Sequence, residues 1–280
     1  MKCPNPDCGD QVPDHSRMCV VCGVDAGVPN VRAASLPAEV GALDARVLAA
    51  ENNAELVGAT DVLTNFRLAL EESAAVVCRS ISRVNELVSS DNHLFASFYK
   101  NVRSDITLPE DNEWDRIRQS ADSLLFPHYF EDLMFAALTL DGSGVNGYGG
   151  ICVTLKDSAI RERSSVFEEN AILFIKRHRI VAGDALPLGY KATWTNRVAL
   201  CVAKLTYKLT PATTSSKYQS ILMGSTARDG DFIEVHIYGP LHRRAIKHVS
   251  ATEPKRAADK VLLRSMTKKL LELGATCTIN

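Results

Sequence analysis

The sequence predicts an α+β fold, in which helices and strands are mixed without a regular β-α-β alternation. Three short apolar runs, residues 151–155, 198–205 and 232–238, have the composition of strands. Two longer segments, residues 36–90 and 257–273, repeat apolar residues at three- and four-residue steps, as amphipathic helices do. A mixed or antiparallel sheet with helices around it is therefore expected.

Composition and charge limit the class of protein. The chain has 280 residues and a formal net charge of −1, with 46% hydrophobic and 23% charged residues. These values are ordinary for a soluble globular protein that can bury a sizeable core. The near-zero charge gives no chain-wide attraction for nucleic acid, so only a local basic patch could supply one. Neither a signal peptide nor an apolar run of membrane-spanning length is visible, and a cytoplasmic protein is expected.

The first 22 residues hold half of the eight cysteines. Cys3, Cys8, Cys19 and Cys22 form two short-spaced pairs, and the other four cysteines are scattered singly. Two such pairs can surround one tetrahedral ion, and this pattern predicts a zinc ribbon in residues 1–26. Four cysteine ligands leave no open coordination position, so the expected role of the zinc is structural. The alternative is four free thiols in a disordered tail, which the paired spacing disfavours.

The rest of the chain divides by composition into three further parts. Residues 27–35, with Gly27 and Pro29, are expected to be a linker. Residues 36–90 are expected to be a helical connector, either a hairpin that packs on the rest or a coiled-coil arm for a homodimer or a partner. Residues 91–280 form the body, which is expected to end with a basic helix, 257–273, and an edge strand, 276–279.

Residues 231–238 carry an unusual polar pattern for a strand. Strand alternation places Glu234, His236 and Tyr238 on one face and the isoleucine and valine residues between them on the other. The apolar face belongs in the core, so Glu234 is expected to point into a cleft. The alternative is a solvent-facing glutamate, which is the usual place for this residue type.

This strand resembles the last motif of the ADP-ribosyltransferases, in which a strand presents a glutamate before a Glu-x-(Gln/His) run and a glycine. Three upstream segments resemble earlier motifs of the family, in the same order. Residues 98–104 resemble its first segment, residues 148–155 its central strand, and residues 161–170 the segment that lines the nicotinamide pocket. The resemblance covers residues 91–250 and implies an ADP-ribosyltransferase-like antiparallel core with NAD as a substrate.

The resemblance also implies roles for individual residues. Glu234 would stabilise the oxocarbenium character that develops on the ribose when NAD is cleaved, and His236 would orient the acceptor nucleophile. The family's Ser-Thr-Ser stretch is present only as two serines. The residues implied to contact NAD are Tyr99, Arg103, Tyr148, Arg163, Ser164 and Ser165, with Arg103 the first candidate for the phosphates or ribose and Arg163 the second.

The function implied is a mono-ADP-ribosyltransferase of the bacterial toxin or phage-defence type. Its acceptor would be a macromolecule, with nucleic acid, and RNA in particular, slightly favoured over protein because a zinc ribbon and a basic helix both suit it. An inhibitor protein that docks on residues 36–90 is a further expectation. Two alternatives are a non-catalytic zinc-ribbon module that binds nucleic acid or protein, and a NAD glycohydrolase that uses water as acceptor.

Overall fold

The computed structural model describes residues 1–103, 113–145, 149–224 and 231–279. The strands are β1 (Ala74–Arg79), β2 (Leu94–Phe95), β3 (Leu133–Thr139), β4 (Ile151–Leu155), β5 (Ser164–Phe167), β6 (Lys191–Thr193), β7 (Glu234–Tyr238), β8 (Leu241–His242), β9 (Ile246–Ala251) and β10 (Thr276–Ile279). The helices are α1 (Pro29–Ala34), α2 (Pro37–Leu56), α3 (Thr60–Glu71), α4 (Ile81–Ser89), α5 (Phe98–Arg103), α6 (Glu113–Leu125), α7 (Asp157–Ile160), α8 (Ala171–His178), α9 (Arg197–Leu205), α10 (Tyr218–Met223) and α11 (Ala257–Glu272).

Eight of the strands form one sheet in the order β10-β9-β4-β1-β3-β7-β5-β6. Every neighbouring pair is antiparallel except β9 and β10, which are parallel. Strands β2 and β8 pair separately. This mixture of helices with a largely antiparallel sheet confirms the expected α+β class.

The sheet buries both of its faces. One face packs against the large apolar core, to which α2, α3, α4, α9 and α11 contribute residues such as Leu43, Phe66 and Met266. The other face carries a smaller core around α6 and α8, which includes the aromatic residues Phe126 and Phe174. The strands in the middle of the sheet therefore lie between two layers, and polar side chains that point to the second face are enclosed.

The expectation of an all-helical connector over residues 36–90 is wrong at β1. Residues Ala74–Arg79 form a strand that lies between β4 and β3, so this segment supplies the middle of the sheet rather than a separate arm. The run Ala-Ala-Val-Val-Cys is buried on both faces and therefore lacks the alternation that marks a half-exposed strand. Helix α2 packs against α9 over the large core. A homodimer through this segment stays a prediction.

Two further expectations differ from the structure. Residues 198–205 are the helix α9, not a strand, because a short, mainly apolar run is compatible with either state. Residues 27–35 are not an open linker, since they contain α1, which begins with Pro29 at a position where proline favours a helix start. Asn30 of this helix is 3% exposed.

The other elements agree with the sequence. The strands β4 and β7 and the helix α11 lie where they are predicted, and β10 is an edge strand of the sheet. Gly274 follows α11 with a φ of 69°, the left-handed conformation that ends many helices. Within the described ranges, no helix is both long and apolar enough to cross a membrane.

Candidate active site and metal centre

Strand β7 positions the two candidate catalytic residues on the second face of the sheet. In register, Glu234 lies opposite Ala137 of β3 and Phe167 of β5. His236 lies opposite Phe135 of β3 and Ser165 of β5. Directly opposed residues point to the same side of a sheet, so these six side chains share one face. The predicted alternation along this strand is confirmed, since Val235 and Ile237 belong to the large core on the other face.

The carboxylate of Glu234 is enclosed and held by two neighbours. The residue is 2% exposed. Its Oε1 atom accepts a hydrogen bond from Asn170 Nδ2 at 3.3 Å, and its Oε2 atom lies 3.1 Å from His236 Nε2. The alternative of a solvent-facing glutamate is therefore excluded. A carboxylate in so little water interacts more strongly with a nearby positive charge than an exposed one does.

Aromatic rings enclose the imidazole of His236. The ring centroid lies 4.6 Å from that of Phe126, 5.1 Å from that of Phe135 and 5.7 Å from that of Phe167. His236 is 1% exposed. The rings leave the imidazole little freedom to rotate, so Nε2 stays aimed at Glu234.

A second buried carboxyl group, Asp122 of α6, belongs to the same region. Asp122 is 1% exposed; its Oδ2 atom accepts a hydrogen bond from the Tyr99 hydroxyl at 2.7 Å and lies 3.5 Å from Nε of Arg118. Burial raises the pKa of Asp122; the Arg118 guanidinium opposes the rise and the charge of Glu234 adds to it. Neither Asp122 nor Arg118 is among the residues predicted from the sequence, where the available signal is their i, i+4 spacing on one helix.

Arg118 places a cation beside this site. Its Cζ atom lies 4.8 Å from the centroid of the Phe135 ring, the ring that also packs on His236. The Arg118 side chain is 25% exposed. A guanidinium that is partly exposed at such a position can bind an anionic group of a ligand with several donors at once.

The two predicted serines point to opposite faces of the sheet. Ser165 lies opposite His236, and its hydroxyl oxygen accepts a hydrogen bond from Asn30 Nδ2 at 3.1 Å. Ser164 lies opposite Ile237, on the face of the large core, and is fully buried. The sheet therefore separates Ser164 from Glu234, and Ser165 is the serine on the side of Glu234.

The guanidinium of Arg163 donates hydrogen bonds to backbone carbonyls. Its Nη1 atom donates to the carbonyls of Tyr238 at 2.9 Å and Pro240 at 2.8 Å, and its Nε atom donates to that of Ala159 at 3.0 Å. Arg163 thus ties the turn after β7 to the start of β5 and is not placed to hold a phosphate. Arg103 is the last residue of α5, and the position of its side chain lies outside what the structure describes, as does the whole of Tyr148.

The segment after β5 adds a helix start, which contacts Glu234 through Asn170, and a buried acid, Glu169. Asn170 caps α8, because its Oδ1 atom accepts a hydrogen bond from the Ile172 backbone at 2.9 Å while its amide binds Glu234. Glu169 is fully buried and forms an ion pair with Arg177 at 2.9 Å. Burial raises the pKa of Glu169 to about 7, and the charge of Arg177 opposes the rise.

The four N-terminal cysteines come together in space. Their sulfur atoms all lie within 4.8 Å of one another, with Cys3 and Cys22 at 3.5 Å and Cys8 and Cys19 at 3.7 Å. Tetrahedral zinc with Zn–S distances of about 2.3 Å places its sulfur ligands about 3.8 Å apart, so this cluster fits the ion. Within the cluster, a hydrogen bond from the Val24 backbone N–H lowers the pKa of Cys22, whereas burial raises that of Cys3.

Helix α1 joins this cluster to the sheet. The guanidinium of Arg32 donates to five backbone carbonyls of residues 13–27, among them those of Asp14 at 2.6 Å and Ser16 at 2.9 Å. The ring of His15 also lies 4.8 Å from the ring of His128, which precedes β3. The cysteine cluster therefore packs on the body of the protein at the side of the sheet where β5 and β7 lie.

No family model matches the sequence, and no curated protein matches it. Among solved structures, the chain is similar to Thermus sp. 2.9 DarT in complex with carba-NAD+, with a TM-score of 0.37 and 7% identity over 75% of this chain and 95% of that one. It is similar to the same protein in complex with NAD+, with a TM-score of 0.36, 10% identity and the same shares covered. Likenesses this distant do not assign a site or an activity to the chain.

Proposed function

We propose that the chain is a mono-ADP-ribosyltransferase that cleaves NAD at Glu234 and passes ADP-ribose to a macromolecular acceptor. The observation that carries the proposal is the enclosed Glu234 carboxylate, held by Asn170 and His236. It lies on the strand that resembles the family's glutamate motif. A fixed carboxylate in a site that excludes water is the group that a developing oxocarbenium ion requires.

The proposed reaction breaks one bond and forms one. The bond between nicotinamide and the ribose breaks, and its electron pair leaves with nicotinamide. The positive charge that develops on the ribose is stabilised by Glu234. A nitrogen or oxygen of the acceptor then bonds to the ribose carbon. The proton of that atom passes to Glu234 or to His236, whose Nε2 atom lies 3.1 Å from Glu234 Oε2.

The proposed NAD contacts include one residue identified in the structure and several predicted from the sequence. Arg118 is added as the cation for the phosphates, because its guanidinium is partly exposed beside the ring that covers His236. Tyr99 would act through Asp122, to which its hydroxyl is bound. Ser165 faces the site, and Arg103 and Tyr148 remain candidates from the sequence.

We further propose that Cys3, Cys8, Cys19 and Cys22 hold one structural zinc ion, as their sulfur spacing supports. A nucleic-acid acceptor, RNA in particular, is favoured by this small metal module and by the basic residues of α11. They are Lys260, Arg264, Lys268 and Lys269. Both features are suited to a phosphate backbone.

A toxin or phage-defence enzyme of this kind would need an inhibitor in the cell that makes it. Residues 36–90 are the proposed docking segment. Five large apolar residues of this segment lie exposed at or near α2 and α3, in keeping with an interaction surface. They are Leu36, Leu48, Leu56, Val57 and Leu68.

The decisive experiment compares Glu234→Gln with the wild type and with Glu55→Gln, whose glutamate is exposed on α2. Each protein is incubated with labelled NAD and cell extract that has been treated with nuclease, with protease or with neither. We expect the wild type and Glu55→Gln to transfer label and Glu234→Gln to be inactive. Transfer retained in Glu234→Gln would refute the assignment of this residue.

The distribution of the label identifies the acceptor. Label that is lost with ribonuclease establishes RNA, label that is lost with deoxyribonuclease establishes DNA, and label that is lost with protease establishes protein. Free ADP-ribose alone would make the enzyme a NAD glycohydrolase. Intact NAD with a folded, zinc-loaded wild type would favour the non-catalytic binding module instead.

A further inference from the structure

Two cysteines that the proposed function does not use lie side by side on neighbouring strands of the sheet. Cys78 of β1 and Cys152 of β4 are directly opposed, and their sulfur atoms lie 2.7 Å apart. Opposed residues of antiparallel strands have Cα atoms about 4.5 to 5.5 Å apart. This range falls within the roughly 4.4 to 6.8 Å that a disulfide spans, so the backbone is already placed for a bond between them.

The surroundings of the pair leave no side chain between the two sulfurs. Gly144 packs directly above them, and a Cβ atom at this position would lie 1.8 Å from Cys78 Sγ and 2.8 Å from Cys152 Sγ. The neighbouring side chains are apolar, with Val76 and Phe232 in the same small cluster. A residue with any side chain at position 144 would therefore have to displace the thiols, and only glycine lets the chain close over them.

The two thiols differ in exposure and in acidity. Cys78 is 5% exposed, whereas Cys152 is partly exposed. The hydrogen bond from the Cys78 thiol lowers the pKa of Cys152, and the same contact, together with burial, raises the pKa of Cys78. Cys152 is therefore the thiol of the pair that ionises first. The more exposed thiol, Cys152, is thus the nucleophile, and the buried thiol, Cys78, keeps its proton.

We propose that Cys78 and Cys152 form a dithiol site that a hydroperoxide closes to a disulfide and a thiol reductant reopens. The Cys152 thiolate attacks one peroxide oxygen, so that the O–O bond breaks, water or an alcohol leaves and Cys152 becomes a sulfenic acid. The Cys78 thiol then attacks the Cys152 sulfur, and the sulfenic hydroxyl leaves as a second water. With hydrogen peroxide, two thiols and one peroxide give one disulfide and two waters.

The pair lies on the face of the sheet that carries Glu234. Val76, two residues before Cys78, pairs with Ala137 of β3, and Ala137 pairs in turn with Glu234. The proposal does not depend on the proposed transferase activity, because its evidence is the position and chemistry of the two thiols alone. It adds a site of covalent modification to a part of the sheet that has no other assigned role.

The test is made on the full-length, zinc-supplemented protein with hydrogen peroxide in small molar excess at pH 7. After peroxide treatment, free thiols are alkylated and the protein is digested with trypsin without reductant. We expect the peptide of residues 68–79 to be joined to that of residues 119–156 at two hydrogens below the sum of their masses, and to be released by dithiothreitol. Both cysteines fully alkylated after peroxide, or Cys152 oxidised to a sulfinic acid beside a free Cys78, would overturn the proposal.

Two variants and one internal control sharpen the result. In Cys78→Ser, the sulfenic acid of Cys152 has no thiol to attack it, so we expect it to be trapped by dimedone, which should not label the wild type. In Cys152→Ser, Cys78 should stay free after peroxide. Cys277, a partly buried cysteine bound by the Thr267 hydroxyl, is the internal control and should be alkylated more slowly than Cys152 at pH 7. Equal rates would contradict the assignment of Cys152 as the nucleophile.

Discussion

The side-chain amide of Asn30 donates a hydrogen bond of 2.9 Å to the backbone carbonyl of His236. The same amide donates to the hydroxyl of Ser165 at 3.1 Å. Asn30 therefore joins β7 and β5, the two strands that carry the candidate catalytic face, to the short helix after the cysteine cluster. The N-terminal module and the site are connected by one buried side chain.

We expect Asn30→Ala to lower the free energy of unfolding by about 1 to 3 kcal/mol, because it leaves buried acceptors without a donor. Urea unfolding followed by circular dichroism measures the change. Asn53→Ala is the matched control, since Asn53 is exposed on α2, and it should leave the midpoint within experimental error. A midpoint of Asn30→Ala equal to that of the control would show that the bridge contributes nothing.

The cysteine cluster predicts one zinc ion per chain. Metal analysis of the purified wild type and of Cys277→Ser should give a ratio near one, and Cys19→Ala should lose the metal. Chelation should also free residues 1–26 from Arg32 and speed tryptic cleavage after Arg17, whose guanidinium is now paired with Asp25 at 2.6 Å. Full zinc content in Cys19→Ala, or an unchanged cleavage rate after chelation, would argue against a structural zinc ion.

The sequence predicts correctly those elements that have one apolar face and one polar face. Residues 233–238 alternate strictly between apolar and polar, and the structure confirms both the strand and the side on which Glu234 lies. The predictions are wrong for β1 and α9, because a short, mainly apolar run is compatible with a strand and with a helix. Asn30 and His236 are 206 positions apart, and no local pattern could have indicated their contact.

The raised pKa of Glu169 predicts that the stability of the protein depends on pH. Its pKa in the folded protein, about 7, lies above the value of 4.5 for an unperturbed glutamate. Below pH 4.5 the carboxyl is protonated in both the folded and the unfolded state, so its ionisation does not affect the free energy of folding. As the pH rises from 4.5 through 7, the unfolded state loses its proton first, so folding is progressively disfavoured, and the penalty is complete above pH 7.

Glu169→Gln should remove that penalty. We expect the variant to gain about 1 to 3 kcal/mol over the wild type at pH 8 and to match it at pH 4.5, because the raised pKa of Glu169 already includes the opposing charge of Arg177. Unfolding curves across this range test the expectation, with Glu162→Gln, at an exposed position, as control. A difference between variant and wild type that does not change with pH would contradict it.

Arg118 offers the sharpest test of the proposed NAD site. If its guanidinium binds a phosphate, Arg118→Gln should raise the KM for NAD about 10- to 100-fold, the value of a charge-assisted contact of roughly 1.5 to 3 kcal/mol, with a smaller effect on kcat. Arg161→Gln, which removes only an exposed ion pair with Asp157, should leave the KM unchanged.

A structural role for Arg118 predicts a different outcome, because the arginine also lies 3.5 Å from the buried Asp122. Its loss removes the guanidinium that offsets the burial of that carboxyl, which would destabilise the fold and disturb Glu234 indirectly. The double variant Arg118→Gln/Asp122→Asn separates the two roles, because the neutral amide no longer needs a cation while it can still accept the Tyr99 hydrogen bond. We expect this double variant to recover the stability of the wild type and to keep the raised KM. Recovery of the KM along with the stability would mean that Arg118 only supports Asp122, and the phosphates of NAD would have to be bound elsewhere.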